Sequence, residues 1–104
     1  MTTPAAIATM FEATNRADTA GFLACFTDDA FLHDWGRDFT GRDGVARWNQ
    51  TDNIGVKSHL TLVSISGAGP DYKVRVRVRG QGFNGEGDMA FTLRDGKIAR
   101  LVIA

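Results

Sequence analysis

The chain has 104 residues, 43% of them hydrophobic and 23% charged, and its twelve basic and twelve acidic side chains cancel. That length suits one domain, which usually runs to roughly 100–150 residues, so 1–104 is expected to fold as a unit. Zero net charge argues against nucleic acid or an anionic membrane as the main partner. The single cysteine, Cys25, excludes an internal disulfide and a Cys-based zinc cage.

No apolar run approaches the roughly 20 residues of a membrane helix. The start, Met1-Thr2-Thr3-Pro4, lacks the basic region and apolar core of a signal peptide, so a reducing, cytoplasmic setting is expected. Thr3 and Pro4 read as N-cap and first position of a helix. Ile7, Met10, Phe11 and Thr14 follow at i, i+3, i+4, i+7, which is one helix face. Asp18 or Thr19 caps a short second helix with Phe22, Leu23 and Phe26 on its apolar side. Cys25 beside them reads as a small buried hydrophobe.

Asp28-Asp29 reads as a turn. Ala30–Trp35 reads as a strand with Ala30, Leu32 and Asp34 on one face and Phe31, His33 and Trp35 on the other. A loop, 36–40, then leads to a third helix over Gly41–Gln50 with Val45 and Trp48 on its inner side.

The second half alternates with period two. Lys57–Ser66 reads as a strand, with His59, Thr61, Val63 and Ile65 on one face and Leu60 and Leu62 on the other. A turn follows over Gly67–Asp71. In Tyr72–Phe83, Val74, Val76 and Val78 alternate with Lys73, Arg75, Arg77 and Arg79. Asn84-Gly85 is a strong two-residue hairpin signal, which predicts Val78 opposite Phe91, Val76 opposite Leu93 and Gly80 opposite Met89. Asp95-Gly96 predicts a second hairpin into Lys97–Ala104, whose Ile98, Leu101, Val102 and Ile103 fall on both faces. Helices first and strands later make this α+β.

Two stretches carry a resemblance: Asp18–Asp34, DTAGFLACFTDDAFLHD, and Gly41–Trp48, GRDGVARW. Together with the last hairpin at Asp95-Gly96-Lys97-Ile98, they resemble the nuclear transport factor 2-like superfamily. The likeness is to its branch of SnoaL-like polyketide cyclases and ketosteroid isomerases. The resemblance implies a cone-shaped α+β barrel, three N-terminal helices packed on a curved, mostly antiparallel sheet. It also implies an apolar pocket for a small apolar molecule, and a homodimer through the outer sheet face, where Arg77, Arg79 and Asp88 would sit. If the cone follows suit, Met10, Phe26, Leu32, Trp48, Asn49, Val76, Val78, Met89 and Phe91 line the pocket or, alternatively, fill it.

The same match places Asp34 where ketosteroid isomerase keeps its proton-shuttling carboxylate, with Trp35 and Trp48 as expected neighbours. The competing reading is a structural carboxylate that caps the loop or pairs with Arg37 or Arg42. The isomerase's two oxyanion donors, a tyrosine and a protonated aspartic acid, correspond here to Met10 and Met89, which donate no proton. Losing one such donor typically costs about 10²–10³ in rate. His59 is the weaker catalytic candidate, and alternation turns His33 away from Asp34. Two histidines and one carboxylate carry no recognised metal-ligand spacing, so no metal and no cofactor are expected. The basic stripe lacks interleaved aromatics and reads as a charged, partly self-paired outer face. Gly80–Gly87 precedes no helix and is no phosphate loop. A binding module is therefore the leading reading, with an acid/base enzyme acting on a hydrophobic carbonyl compound, or a dimerisation domain with a filled cone, as alternatives.

Overall fold

The computed structural model describes residues 2–104; Met1, part of the stretch read as lacking a signal peptide, lies outside the described residues. Helices α1 (Ala5–Asn15) and α2 (Thr19–Ala24) lead into strands β1 (Phe26–Asp34) and β2 (Arg37–Thr40). Helix α3 (Gly41–Asp52) follows, then a 3₁₀ turn (Ile54–Val56), β3 (His59–Ala68), β4 (Asp71–Arg79), β5 (Gly85–Arg94) and β6 (Lys97–Ile103). The six strands form one sheet in the order β2-β1-β6-β5-β4-β3. Only the β1–β6 pair is parallel. Three helices against a curved, mostly antiparallel sheet make the expected α+β cone. Among the described residues no helix is long and apolar enough to cross a membrane.

The core follows the helical spacing. Ile7, Met10, Phe11 and Thr14 of α1 are all buried. The helix begins one residue later than expected, because Pro4 rather than Thr3 is the cap and its carbonyl accepts from Ile7 and Ala8. Asp18 caps α2 by accepting from the Gly21 N–H at 2.9 Å. Cys25 is buried at the end of α2, where its Sγ donates to the Gly21 carbonyl; burial pushes its thiol pKa up. Phe22 packs between Phe26 and Trp48, with ring centroids 5.1 and 6.2 Å away.

The strands depart from strict alternation at irregularities that sequence periodicity does not reveal. Asp28-Asp29 lies inside β1, which starts at Phe26, and the pairing with β6 shifts register between Phe26 and Phe31. The expected loop 36–40 contains β2, joined to β1 by a two-residue turn at Trp35-Gly36. In β3 the register shifts between Leu62 and Ser64, so Ile65 opposes Val74 and rejoins Leu60 and Leu62 on the inner face. In β6 the shift at Ala99 places both Ile98 and Leu101 inward, fully buried. One extra residue reverses the parity of everything beyond it.

The largest correction is at the Asn84-Gly85 hairpin. Val78 opposes Gly85, Val76 opposes Gly87 and Val74 opposes Met89. The pairing is displaced by six residues from the expected one, an even number, so the inner and outer faces are conserved. The strand ends at Arg79, and Gly80–Asn84 forms a five-residue loop. Asn84 closes that loop with its side chain, accepting from the Gly80 N–H and donating to the Gly80 and Gly82 carbonyls. The Gln81 N–H donates to Val56 at 2.7 Å, which draws the loop towards the 3₁₀ turn. A two-residue turn would forfeit these bonds.

Candidate functional site

The new register explains an opening in the cone. On the inner face of β5, Met89 and Phe91 fill the closed end, but towards the loop the positions facing Val76 and Val78 are Gly87 and Gly85. Two side chains are missing from that wall. A cavity of about 310 Å³ occupies this end. Leu60, Val76, Val78, Met89, Trp48 and Ile103 supply apolar wall, and Asp34, Arg37, Asp52, Asn53 and Ser58 supply polar groups. The cone is thus packed at one end and open at the other.

Of the residues expected at a pocket, the structure brings Trp48, Val76, Val78, Met89 and Asp34 to the cavity. Met10, Phe26, Leu32 and Phe91 lie in the packed core and do not line it. Asn49 is also buried away from it, with its Oδ1 accepting from Asn53 Nδ2 and the Ile54 N–H. His59 is exposed on the edge strand and lines a separate shallow groove with Ile7, Phe11 and Leu62, so it does not meet Asp34. His33 binds Asp38 at 2.7 Å on the other face of β1. Among the described residues, no three His, Cys, Asp or Glu side chains cluster as a metal site would require.

Asp34 ends β1 with its side chain 13% exposed. The turn after it is of type I′, with positive φ at both Trp35 (50°) and Gly36 (82°). A two-residue turn leaves Arg37 directly opposite Asp34. Arg37 Nη2 then donates to Asp34 Oδ2 at 2.9 Å, and Trp48 Nε1 donates to the same oxygen at 2.9 Å. Arg37 also grips both oxygens of Asp52 on α3 at 3.2 Å, and Thr51 Oγ1 donates to Asp52. Asp52 first, with Asp34 adding, raises the Arg37 pKa, so this guanidinium stays charged. The neighbours of Asp34 are therefore an indole N–H and a cation rather than an apolar wall, and Trp35 is 78% exposed. Arg42 pairs instead with Asp28.

Sequence reasoning missed Asp52, Asn53, Ser58 and the glycine wall. For Arg37 the signal was present: Asp34-Trp35-Gly36-Arg37 has a glycine at the second turn position. The glycine wall required the β4–β5 register, which the turn signal misassigned.

The fold is that of the nuclear transport factor 2-like superfamily, in its SnoaL-like and ketosteroid isomerase-like branch. The SnoaL-like domain family matches residues 7–101, and the chain belongs to it. A candidate polyketide cyclase from Sinorhizobium meliloti superposes with a TM-score of 0.89 at 27% identity, over 98% of this chain and 95% of that one. A Mycobacterium tuberculosis protein in complex with estradiol-17β-hemisuccinate gives 0.82 at 17% identity, covering 98% and 93%. The Δ5-3-ketosteroid isomerase of a Mycobacterium species gives 0.81 at 17% identity, covering 96% and 89%. No curated protein matches the chain in sequence.

Proposed function

We propose that this chain is a SnoaL-like binding domain that holds a small, mainly apolar molecule in the open end of its cone. The observation that carries this reading is the glycine-walled cavity, about 310 Å³ with largely apolar lining. Ligand sites typically span about 300–1,000 Å³, so the size favours a compact ligand. The steroid ester bound by one structural neighbour supports the class of ligand, not its identity.

Gly87→Val tests it. A Cβ at Gly87 meets only the Ala104 carbonyl oxygen, at 3.4 Å, so the strand accepts the side chain while the cavity shrinks. Binding of hydrophobic ring compounds, followed by equilibrium dialysis, should fall at least about tenfold, with the thermal midpoint held or raised. Undiminished binding by a folded variant would remove the cavity from the function.

A second reading is an isomerase- or cyclase-type enzyme in which Asp34 moves a proton next to a carbonyl. It is favoured by one feature: both donors to Asp34 engage Oδ2, and Oδ1 has no partner among the described residues. Against it, Met10 is fully buried in the core and Met89 lines the cavity without a proton to give. Deuterium exchange next to the carbonyl of a bound ketone should be detectable in the wild type and lost in Asp34→Asn; no exchange above solvent rate sinks the enzyme.

A further inference from the structure

The cavity has a hydrogen-bond polarity. Its side-chain donors are largely committed to the protein: Trp48 Nε1 to Asp34, and three of the five Arg37 N–H groups to Asp34 and Asp52. The Asn53 amide group is bound to Thr14 and Asn49, and the Thr51 hydroxyl to Asp52. Two of its acceptors are not. Asp34 Oδ1 and Asn53 Oδ1 have no donor among the described residues, although Asn53 is only 2% exposed and lines the cavity. Each oxygen keeps some accessible surface, because among the described residues the buried side-chain atom without a partner is Arg42 Nε, elsewhere in the fold. Of the lining hydroxyls, Ser58 alone remains free, and a hydroxyl can serve as donor or acceptor. Buried polar atoms are paired in the great majority of cases, and a site built around them rejects a ligand that leaves them unpaired.

We propose that the ligand presents a hydrogen-bond donor, an alcohol or phenol hydroxyl on an apolar frame, to the acceptor pair Asp34 Oδ1 and Asn53 Oδ1. This rests on the binding reading above and narrows its ligand class. A bare carbonyl brings only a further acceptor. An anionic group fares no better, since the one cation among the lining residues, Arg37, is shared between two carboxylates.

The geometry supplies its own test, an inversion of preference. In Asp34→Asn, the amide oxygen takes the Oδ2 place, because Arg37 and Trp48 both donate there. The NH₂ group then replaces Oδ1, and an acceptor becomes a donor. Equilibrium dialysis is run with 2-adamantanol and 2-adamantanone, which share one apolar cage and differ in this polarity. The wild type should bind the alcohol about tenfold more tightly, as expected for a hydrogen bond to a charged group. Asp34→Asn should remove or reverse that preference.

Equal binding of both probes by the wild type, or a preference unchanged in Asp34→Asn, overturns the acceptor assignment and leaves the binding reading standing. Failure of both probes to bind the wild type overturns the binding reading and this inference with it.

Discussion

Trp35 occupies a position that its residue type disfavours. It is the first of two turn residues with positive φ, where Asn, Asp or Gly is the usual choice. The left-handed region costs a side-chain-bearing residue about 1–2 kcal/mol, and a ring 78% exposed recovers little of that by burial. Trp35→Asn is therefore expected to stabilise the fold by about 1 kcal/mol, read as a rise in the thermal midpoint. A fall would mean that the indole packs in solution in a way its exposure does not suggest. The neighbouring Asp34 was legible as an inward-facing carboxylate from alternation alone. Its full hydrogen-bond state was not, because Trp48 reaches it from a helix more than a dozen residues along the chain, and Asp52 on the same helix shares its partner Arg37.

At the scale of elements, β4 and β5 show which sequence signals survive and which fail. Alternation in Lys73–Arg79 assigned the faces correctly, and a register error of even size left them intact. The pairs themselves changed: Arg75 opposes Asp88 and Arg77 opposes Glu86, and Arg75 bridges to Glu86 as well. The self-paired outer face was thus legible as a class of contact, but its partners depended on a loop closed by the Asn84 side chain. Turn statistics cannot weigh that bond against a type I′ corner. The irregularities near Val63 and Ala99 were illegible for a related reason, since each is set by the strand opposite.

The charged cluster yields a pH prediction. Arg77 first, then Arg75, holds the Glu86 carboxyl below its ordinary range. The unfolded chain therefore takes up this proton before the folded one does. The stabilisation is present above the ordinary carboxylate range and is lost as pH falls through the depressed value. Glu86→Gln should be less stable than the wild type near neutrality, with the two thermal midpoints converging in acid. Salt should shrink the gap at neutral pH, since the side chains are exposed. A gap that persists in acid would show that Glu86 acts through something other than its charge.

Over the whole molecule, the cone needs a seam where the sheet's last edge meets the helices. The helical face of α1, the inward valines and the order of elements were all readable from periodicity, and they define the packed end. The open end comes from Gly85 and Gly87 facing Val78 and Val76, a pairing visible only once the strands are in register. The seam is equally non-local. Asn15, at the end of α1, brackets Leu60 on β3: its Nδ2 donates to the Leu60 carbonyl at 2.9 Å, and its Oδ1 accepts from the Leu60 N–H at 2.7 Å. An asparagine amide offers a donor group beside an acceptor, as a neighbouring strand would, so it satisfies the outward-facing groups of this edge strand near its start.

Forty-five residues separate the two partners, and nothing local in either marks the bond. Asn15→Ala removes both bonds and is expected to cost about 1–2 kcal/mol, less than two fully buried bonds because Asn15 is itself exposed. Native-state hydrogen exchange checks the mechanism as well as the size. The Leu60 amide should exchange markedly faster in the variant, while amides in the middle of β4 and β5 follow only the global loss. Uniform acceleration would assign Asn15 to general helix stability, and an unchanged Leu60 amide would place the closure of the cone elsewhere along β3.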